Sequence, residues 1–382
     1  MLRVGSLEAP RLLQGRRRTG DLHGWTPRSH QHPSPPNVPH LCRTERPIPE
    51  SAKKKLALFC NIKPEAVIEA SDVSCIYEVP RSYSNHGLDT QVLKHFDMDH
   101  APTADLSRWD KVAEDYSNPK QSVTIAVVGK YMEVQDSYKS IYEALHHGGI
   151  PTATHVNIIR ICSEEFETKD GDKLTPKSQA EVAEKLKDVD AVLVPGGYGV
   201  RGTAGKIATI QYCRENKVPF MGICFGMQLS VVEYARNVLG LKDAHSAEVD
   251  SQTTNPVVGL IENTENPDGD LGGTMRLGAY PCHLTQDSLA QKVYAADIVH
   301  ERHRHRYEVN IDFKEKLESA GLKFTGMSPD GSLTEVVEVK DHPWFLAMQY
   351  HPEFKSRPLS PSPVFQAFVE KALEVKTNTT NK

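Results

Sequence analysis

Two glycines bracket a cysteine in Gly222-Ile223-Cys224-Phe225-Gly226, and the runs on either side belong to different kinds of structure. Pro219-Phe220-Met221-Gly222-Ile223 reads as a short buried strand, whereas Met227 to Val238 carries apolar residues at helical spacing. Cys224 therefore falls on a sharp turn that takes a strand straight into a helix. A turn of this kind lifts a nucleophile above the edge of a sheet and sets it at a helix N-terminus, where the local N–H groups favour a thiolate. It also requires a sheet with helices packed on it.

The surrounding pattern agrees with that requirement. Val123 to Gly129 is an unbroken apolar run ending in glycine, the signature of a strand buried on both faces. A helix is predicted over Asp136 to Gly148, with Asp136 or Ser137 as its cap and Gly148-Gly149 as its end. A strand over His155 to Ile161, a polar loop over Glu164 to Ser178, a helix over Gln179 to Leu186 and a strand over Asp190 to Val194 follow. Thr203 to Glu215 is predicted as the helix that leads into the elbow strand. Further β structure is predicted at Val257–Ile261, Arg276–His283, Val299–Val309, Lys323–Ser328 and Leu333–Val339, and a closing helix at Pro363–Glu374. The βαβ alternation predicts an α/β fold with an open, mostly parallel sheet flanked by helices. Ligands in such sheets bind at the carboxyl ends of the strands. Cys224 and the glycines of Pro195-Gly196-Gly197 both fall at such ends.

A base for the cysteine stands far downstream. Phe345 to Tyr350 is an apolar strand-like run that ends in His351-Pro352-Glu353. Proline pushes the residue before it toward extended geometry. Residues two apart in an extended segment face the same way, so Glu353 is placed to orient the His351 imidazole toward the thiol. Cysteine, histidine and glutamate would then form a nucleophile–base–orienter triad. A lone G-x-C-x-G more often surrounds an inert buried cysteine, and the downstream His-Pro-Glu is what favours the catalytic reading.

These residues resemble the class I, triad-type glutamine amidotransferases. Three longer stretches, Cys42–Pro49, Asp270–Gly278 and Glu301–Glu308, are similar to the CTP synthase family within that class, and the resemblance runs over about residues 40–375. It implies a glutaminase site with Cys224, His351 and Glu353 as the triad. It further implies Gly196 and Gly197 in the oxyanion hole, and Gln228, Glu248 and Arg306 on the glutamine, with Glu248 at the α-amino group and Arg306 at the α-carboxylate. Gly272, Gly273 and Arg276 resemble a mobile lid. Arg201 and Gly202 resemble the segment through which GTP acts as an allosteric effector. The glutamate that usually follows that glycine by two residues is Ala204 here, so a weak GTP response is expected. L-glutamine is the implied substrate and CTP formation in pyrimidine nucleotide biosynthesis the implied overall activity, of the carbon–nitrogen ligase kind. The family assembles as homotetramers, which makes full-length CTP synthase subunits implied partners.

The resemblance also implies a synthetase domain that binds ATP, UTP and magnesium. No phosphate-binding glycine loop of the G-x-x-x-x-G-K-[ST] kind is found near the start of the sequence. The expectation is a chain that keeps the glutaminase half and cannot itself aminate UTP, with no cofactor of its own. The alternative is a non-catalytic regulatory or assembly partner of full-length CTP synthase. The expected organisation has residues 1–38 disordered, 39–104 as the end of a synthetase domain and 105–119 as a linker. The amidotransferase domain is expected over 120–376, with a frayed tail at 377–382. Residues 1–38 combine Arg16-Arg17-Arg18 with a Pro/His-rich stretch that cannot bury a core. An arginine-rich start is also the composition of a transit peptide, but Glu8 and Asp21 argue against that. A net charge of −5 argues against nucleic acid as partner, and no apolar run approaches membrane-spanning length. Seven cysteines without paired spacing fit a reducing, cytoplasmic setting. His303 and His305 alternate with arginines, which suits a charged strand better than a metal site.

Overall fold

The computed structural model describes residues 4–5, 38–134, 136–167, 176–260 and 275–380. Residues up to Ser117 form one compact unit and those from Asn118 onward another. In the first, β1 (Val4–Gly5), β2 (His40–Thr44) and β3 (Val67–Ser71) form a three-stranded sheet in that order, with β2 parallel to β3. Helix α1 (Glu50–Cys60) packs over a small core of Cys42, Ile48, Ala57, Ile62, Ala66 and Val67. Helices α2 (Val79–Asn85), α3 (Leu88–His95) and α4 (Ser107–Ser117) complete the unit.

Two expectations for this part need correction. Val4–Gly5 lies in the stretch expected to be disordered, yet it pairs antiparallel with β2, Val4 opposite Cys42; residues 6–37 lie outside the described residues. The segment 105–119, expected as a linker, holds the 11-residue helix α4. Its apolar side chains are few but fall on one face. Val112 is buried, Trp109 stacks on Tyr77 at 6.4 Å between ring centroids, and Tyr116 meets the same ring edge-on at 5.0 Å.

The second unit is built on a nine-stranded sheet. Its first strands are β4 (Gln121–Gly129), β5 (Thr154–Cys162), β6 (Ala191–Val194) and β7 (Phe220–Ile223). The interleaved helices are α5 (Lys139–Gly149), α6 (Pro176–Leu186), α7 (Thr203–Asn216) and α8 (Phe225–Asn237). Two short strands, β8 (His245–Ser246) and β9 (Pro256–Leu260), come next, followed by β10 (Arg276–Leu284), α9 (Leu289–Tyr294), β11 (Ile298–His305) and β12 (Tyr307–Val309). Helix α10 (Lys314–Ser319), β13 (Leu322–Met327), β14 (Thr334–Val339), β15 (Phe345–Met348) and α11 (Pro363–Thr380) close the chain. The sheet order is β11-β10-β13-β14-β15-β7-β6-β4-β5. The five strands from β15 to β5 are parallel, as expected for the sheet, and the four from β11 to β14 extend it antiparallel.

Alternation along the strands feeds two cores. Ala126 and Val128 of β4 join Phe166, Ile207 and Phe225 on one face, under α6, α7 and α8. Val123, Ile125 and Val127 join Ile141, Leu145 and Phe365 on the other, under α5 and α11. Among the described residues no helix is long and apolar enough to cross a membrane.

Several element boundaries differ from the sequence reading. Helix α5 begins at Lys139 rather than Asp136, after Tyr138, and no side chain caps it. Of the expected loop 164–178, Ser163–Phe166 forms a 3-10 turn with Phe166 buried, and 168–175 lie outside the described residues. The predicted strand Val299–Val309 is two strands in two sheets. β11 belongs to the large sheet, while β12 joins β9 and β8 in a separate three-stranded one, and Arg306 sits at the break. Helix α11 runs through Thr380, past the point where fraying was expected.

Gly226 fixes the distance between the elbow and its neighbour. A Cβ at this position would lie 2.2 Å from the Val194 carbonyl oxygen, a backbone atom that cannot rotate away. Gly226→Ala is therefore expected to lower stability by about 3 kcal/mol or more, the upper range for overpacking, as measured by urea denaturation.

Candidate active site

Strand β7 ends at Ile223, and the chain turns at Cys224 with φ 53° and ψ −104°. A positive φ is strained for a residue with a side chain. It persists because both sides of the turn are fixed. The Cys224 N–H donates to Met348 O at 2.7 Å, and the Cys224 carbonyl accepts from Gln228 N at 3.1 Å. Helix α8 starts at the next residue, so Cys224 occupies its N-cap. The elbow read from the sequence is present, and the helix begins two residues earlier than predicted.

His351 follows β15, the parallel neighbour of β7, which brings it beside Cys224. Its N–H donates to Arg302 O at 2.8 Å, which ties it to β11. Its Nδ1 lies 2.8 Å from Glu353 Oε1, and the ring also hydrogen-bonds Cys224. The reason differs in one respect from the sequence argument. Pro352–Lys355 form a 3-10 turn, so Glu353 reaches the ring through the turn rather than by strand alternation. Burial alone would lower the affinity of His351 for its second proton. The hydrogen bonds to Cys224 and Glu353, with the Glu353 charge, outweigh it and push the pKa up to about 10. At neutral pH the site therefore holds an imidazolium next to the sulfur.

The triad opens into a cavity of about 600 Å³. Gly196 and Gly197, in the loop after β6, form part of its wall. Among the described residues neither glycine's N–H donates to a protein acceptor, as an oxyanion site needs. Gln228, one turn into α8, also lines the cavity. Its Nε2 donates inward, to Tyr307 O at 2.8 Å and Gln349 Oε1 at 3.2 Å. Glu248 and Arg306 lie on the same cavity. Glu248 accepts from the Gly199 N–H at 3.0 Å, and burial raises its pKa against the opposing effects of that bond and of Lys130. The Arg306 Nε is buried and has no hydrogen-bond partner. Glu248 is carried by the small sheet, and Arg306 stands where the chain passes from β11 of the large sheet to β12 of the small one. Glu248 follows β8, where the Ala247 N–H donates to Val258 O at 2.9 Å, and Arg306 precedes β12.

Three other sequence candidates fall elsewhere. Arg276, expected in a lid, is the first residue of β10, with its side chain 9% exposed. It donates to Glu335 Oε1 at 2.5 Å, lies 3.4 Å from Glu308 Oε1, and stacks 4.6 Å from the Tyr280 ring centroid. Gly272 and Gly273 lie outside the described residues. Arg201 is exposed, 3.4 Å from Glu164 Oε1 and over the Tyr131 ring. Gly202 adopts φ 76° at the start of α7, where the Glu167 carboxylate accepts from the N–H groups of Gly202, Ala204 and Gly205. Neither Arg201 nor Gly202 is part of the cavity wall. The alternation of β11 explains the Arg-His run: Arg302 and Arg304 face out, His303 and His305 face in. Burial and Arg276 hold both histidines neutral, His303 down to about 2 and His305 to about 3. Among the described residues no group of three or more His, Cys, Asp or Glu side chains is placed to hold a metal.

Sequence reasoning missed Gln349. Its Nε2 donates to Cys224 Sγ at 3.6 Å while its Oε1 accepts from Gln228. The available signal was its place two residues before His351 on a strand, the same face. It also missed Lys130, whose Nζ donates to Tyr198 O behind the glycine loop.

The comparisons with known proteins meet this geometry. Residues 133–371 match the family model for glutamine amidotransferase class-I, and residues 36–98 match that for the CTP synthase N-terminus. The chain belongs to the class I glutamine amidotransferases. It is 51% identical over 342 residues to a CTP synthase from Brucella melitensis, covering 87% of this chain and 61% of that protein. It is likewise 51% identical over 347 residues to one from Acidiphilium cryptum, covering 88% and 62%. A solved structure described as the Trypanosoma brucei CTPS glutaminase domain with bound acivicin is 37% identical, with a TM-score of 0.60, covering 66% of this chain and 94% of that one. Within its class the chain is therefore a member of the CTP synthase family, and it spans about three fifths of the length of these curated relatives.

The charge state of His351 is open to direct measurement. An imidazole raised to about 10 stabilises the fold fully below its unfolded value near 6.5, and that contribution is lost as the pH climbs through 10. Glu353→Gln removes one of the two groups that hold the proton. The His351 ring resonance, followed by NMR in histidine-labelled protein, should titrate more than one pH unit lower in this variant. An unchanged titration would show that Glu353 does not set the charge.

Proposed function

We propose that this chain hydrolyses L-glutamine to glutamate and ammonia, as the glutaminase half of a CTP synthase. The observation that carries the reading is the shared cavity. Cys224, His351 and Glu353 meet on one wall, and a carboxylate and a guanidinium, Glu248 and Arg306, stand on the same cavity. Those two charges complement the ammonium and carboxylate of a free amino acid. An amino acid bound between them would direct its side-chain amide toward the sulfur.

The Cys224 thiolate attacks the amide carbon, and the N–H groups of Gly196 and Gly197 receive the charge that develops on the oxygen. His351 gives its proton to the leaving nitrogen, and ammonia departs from a thioester. The neutral imidazole then takes a proton from water, whose oxygen attacks the thioester carbon. Glutamate leaves and the thiolate returns. Glu353 keeps the ring in the orientation that serves both transfers. Gln349, on the sulfur, supports the thiolate form.

This half-reaction needs no metal or cofactor. Use of the ammonia on UTP, with ATP and magnesium, is proposed to require residues that the longer relatives have beyond the matched span. GTP is proposed as an effector at Arg201 and Gly202, with a weak response because Ala204 brings no carboxylate there.

Ammonia release from glutamine by the purified chain, measured by a coupled assay, tests the central reading. Activity is expected, and Cys224→Ala should abolish it while the thermal transition stays within a few degrees. No release from the unaltered chain would favour a non-catalytic assembly role. Chromatography should find no CTP formed from UTP, ATP and ammonia by these 382 residues. GTP at micromolar concentration should change the glutaminase rate by less than about twofold. Losing one charged contact of this type costs roughly 1.5–3 kcal/mol, or tenfold or more in affinity.

A further inference from the structure

Lys206 has no part in the chemistry described above, yet its placement is unusual. It lies in the first turns of α7 and is 0% exposed. Its Nζ is buried without a hydrogen-bond partner. Lysine is almost never fully buried without a pair, because an ammonium taken out of water must recover its lost hydration. The ammonium nevertheless has a definite address. It lies 5.2 Å from the centroid of the Phe225 ring, the residue after the nucleophile. A Cβ built on Gly197 would come within 3.2 Å of it. It therefore sits behind the glycine loop whose front faces the cavity, and next to the start of α8.

We propose that Lys206 is a positioning residue of the hydrolytic site: its buried ammonium, held against the back of Gly197 and beside Phe225, supplies the positive charge that steadies the Cys224 thiolate and the glycine loop. The titratable groups facing it fit this role. Lys130, at the end of β4, opposes its charge, while Cys224 at the elbow and Glu167 before α6 favour it. Glu167 is committed to the N–H groups that start α7, at 3.0 to 3.3 Å. Burial and Lys130 together lower the Lys206 pKa to about 7. The amine thus exchanges its proton in the range where the site works, and negative charge on the sulfur draws the proton back. A Cβ at Gly197, 3.2 Å from Nζ, would press the ammonium back by a few tenths of an ångström.

The test is Lys206→Met, which keeps an unbranched side chain one atom shorter and removes the charge. Alkylation of Cys224 by iodoacetamide, followed on its own peptide by mass spectrometry, reads the sulfur without glutamine. It is expected to slow about tenfold at pH 7, with the difference vanishing toward pH 10. Turnover should fall by about tenfold or more with KM changed less than threefold, and the acid limb of the kcat/KM profile should move to higher pH. The melting temperature should stay level or rise, since a buried unpaired charge is removed. A lysine with a merely structural role would give the opposite pattern: a lower melting temperature with the alkylation rate and pH profile unmoved, which would overturn the proposal. Lys206→Gln is read in the same way should the methionine variant not fold. The turnover readout rests on the glutaminase reading, but alkylation does not. If the chain hydrolyses no glutamine while alkylation still slows in Lys206→Met, the glutaminase reading fails and the role of Lys206 stands.

Discussion

The close approach of the start of α8 to the end of β6 is the constraint on which the site depends. Gly226 lets the helix backbone reach the Val194 carbonyl, and the same contact leaves no room for a relaxed turn at Cys224. The strain at φ 53° is held by backbone bonds on both sides, one of them to Met348 of the adjacent strand. That adjacent strand delivers Gln349 and His351. The nucleophile and its base are thus spaced by a parallel strand register, Ile223 opposite Met348, rather than by flexible loops. A site set by sheet register needs few direct contacts to be accurate.

Much of this was legible in the sequence, and the reasons are local. The elbow, the parallel strands and the His-Pro-Glu turn are each written in consecutive residues, where glycine, proline and apolar runs have direct conformational meaning. What stayed hidden depends on residues far apart. Arg276 reads as a lid residue because it follows a glycine-rich stretch. Its burial depends on Glu335 and Glu308, which lie far along the chain and supply the charge that makes burial tolerable. The break between β11 and β12 is invisible because Val299 to Val309 alternates without interruption, and only the competing sheet at β9 ends the first strand. Helix α4 was masked by polar composition, since three side chains suffice for its packed face. Lys206 reads as a surface lysine in any sequence analysis; only the fold shows that it points inward.

The Arg276 cluster deserves comparison with the triad, because both bury charge beside histidine with opposite results. At His351 a carboxylate and a sulfur face the ring, and the proton is retained. At His303 and His305 burial first and the Arg276 guanidinium second keep the rings neutral, although Glu335 Oε2 lies 3.5 Å from His303 Nε2 and Glu308 Oε1 3.4 Å from His305 Nδ1. Burial pushes Glu335 up to about 7 against the pull of Arg276. Two stretches of one sheet therefore set opposite charge states on the same residue type. Burial prevails at His303 and His305 with Arg276 adding to it, whereas at His351 the hydrogen bonds to Cys224 and Glu353 outweigh it.

Glu248 follows β8 of the small β12-β9-β8 sheet and Arg306 joins its β12 to β11 of the large sheet, from which Cys224 and His351 also hang. The two sheets are joined through α8, whose Gln228 donates to Tyr307 O of β12, and through a core in which Val257, Val258 and Val309 lie with Leu229 and Val232. A shift of the small sheet is therefore transmitted to α8, and with it to the sulfur at the helix N-cap, as well as to Glu248 and Arg306. For a protein engineer the two sheets are one linked scaffold, in which a substitution in the smaller is felt at the elbow of the larger.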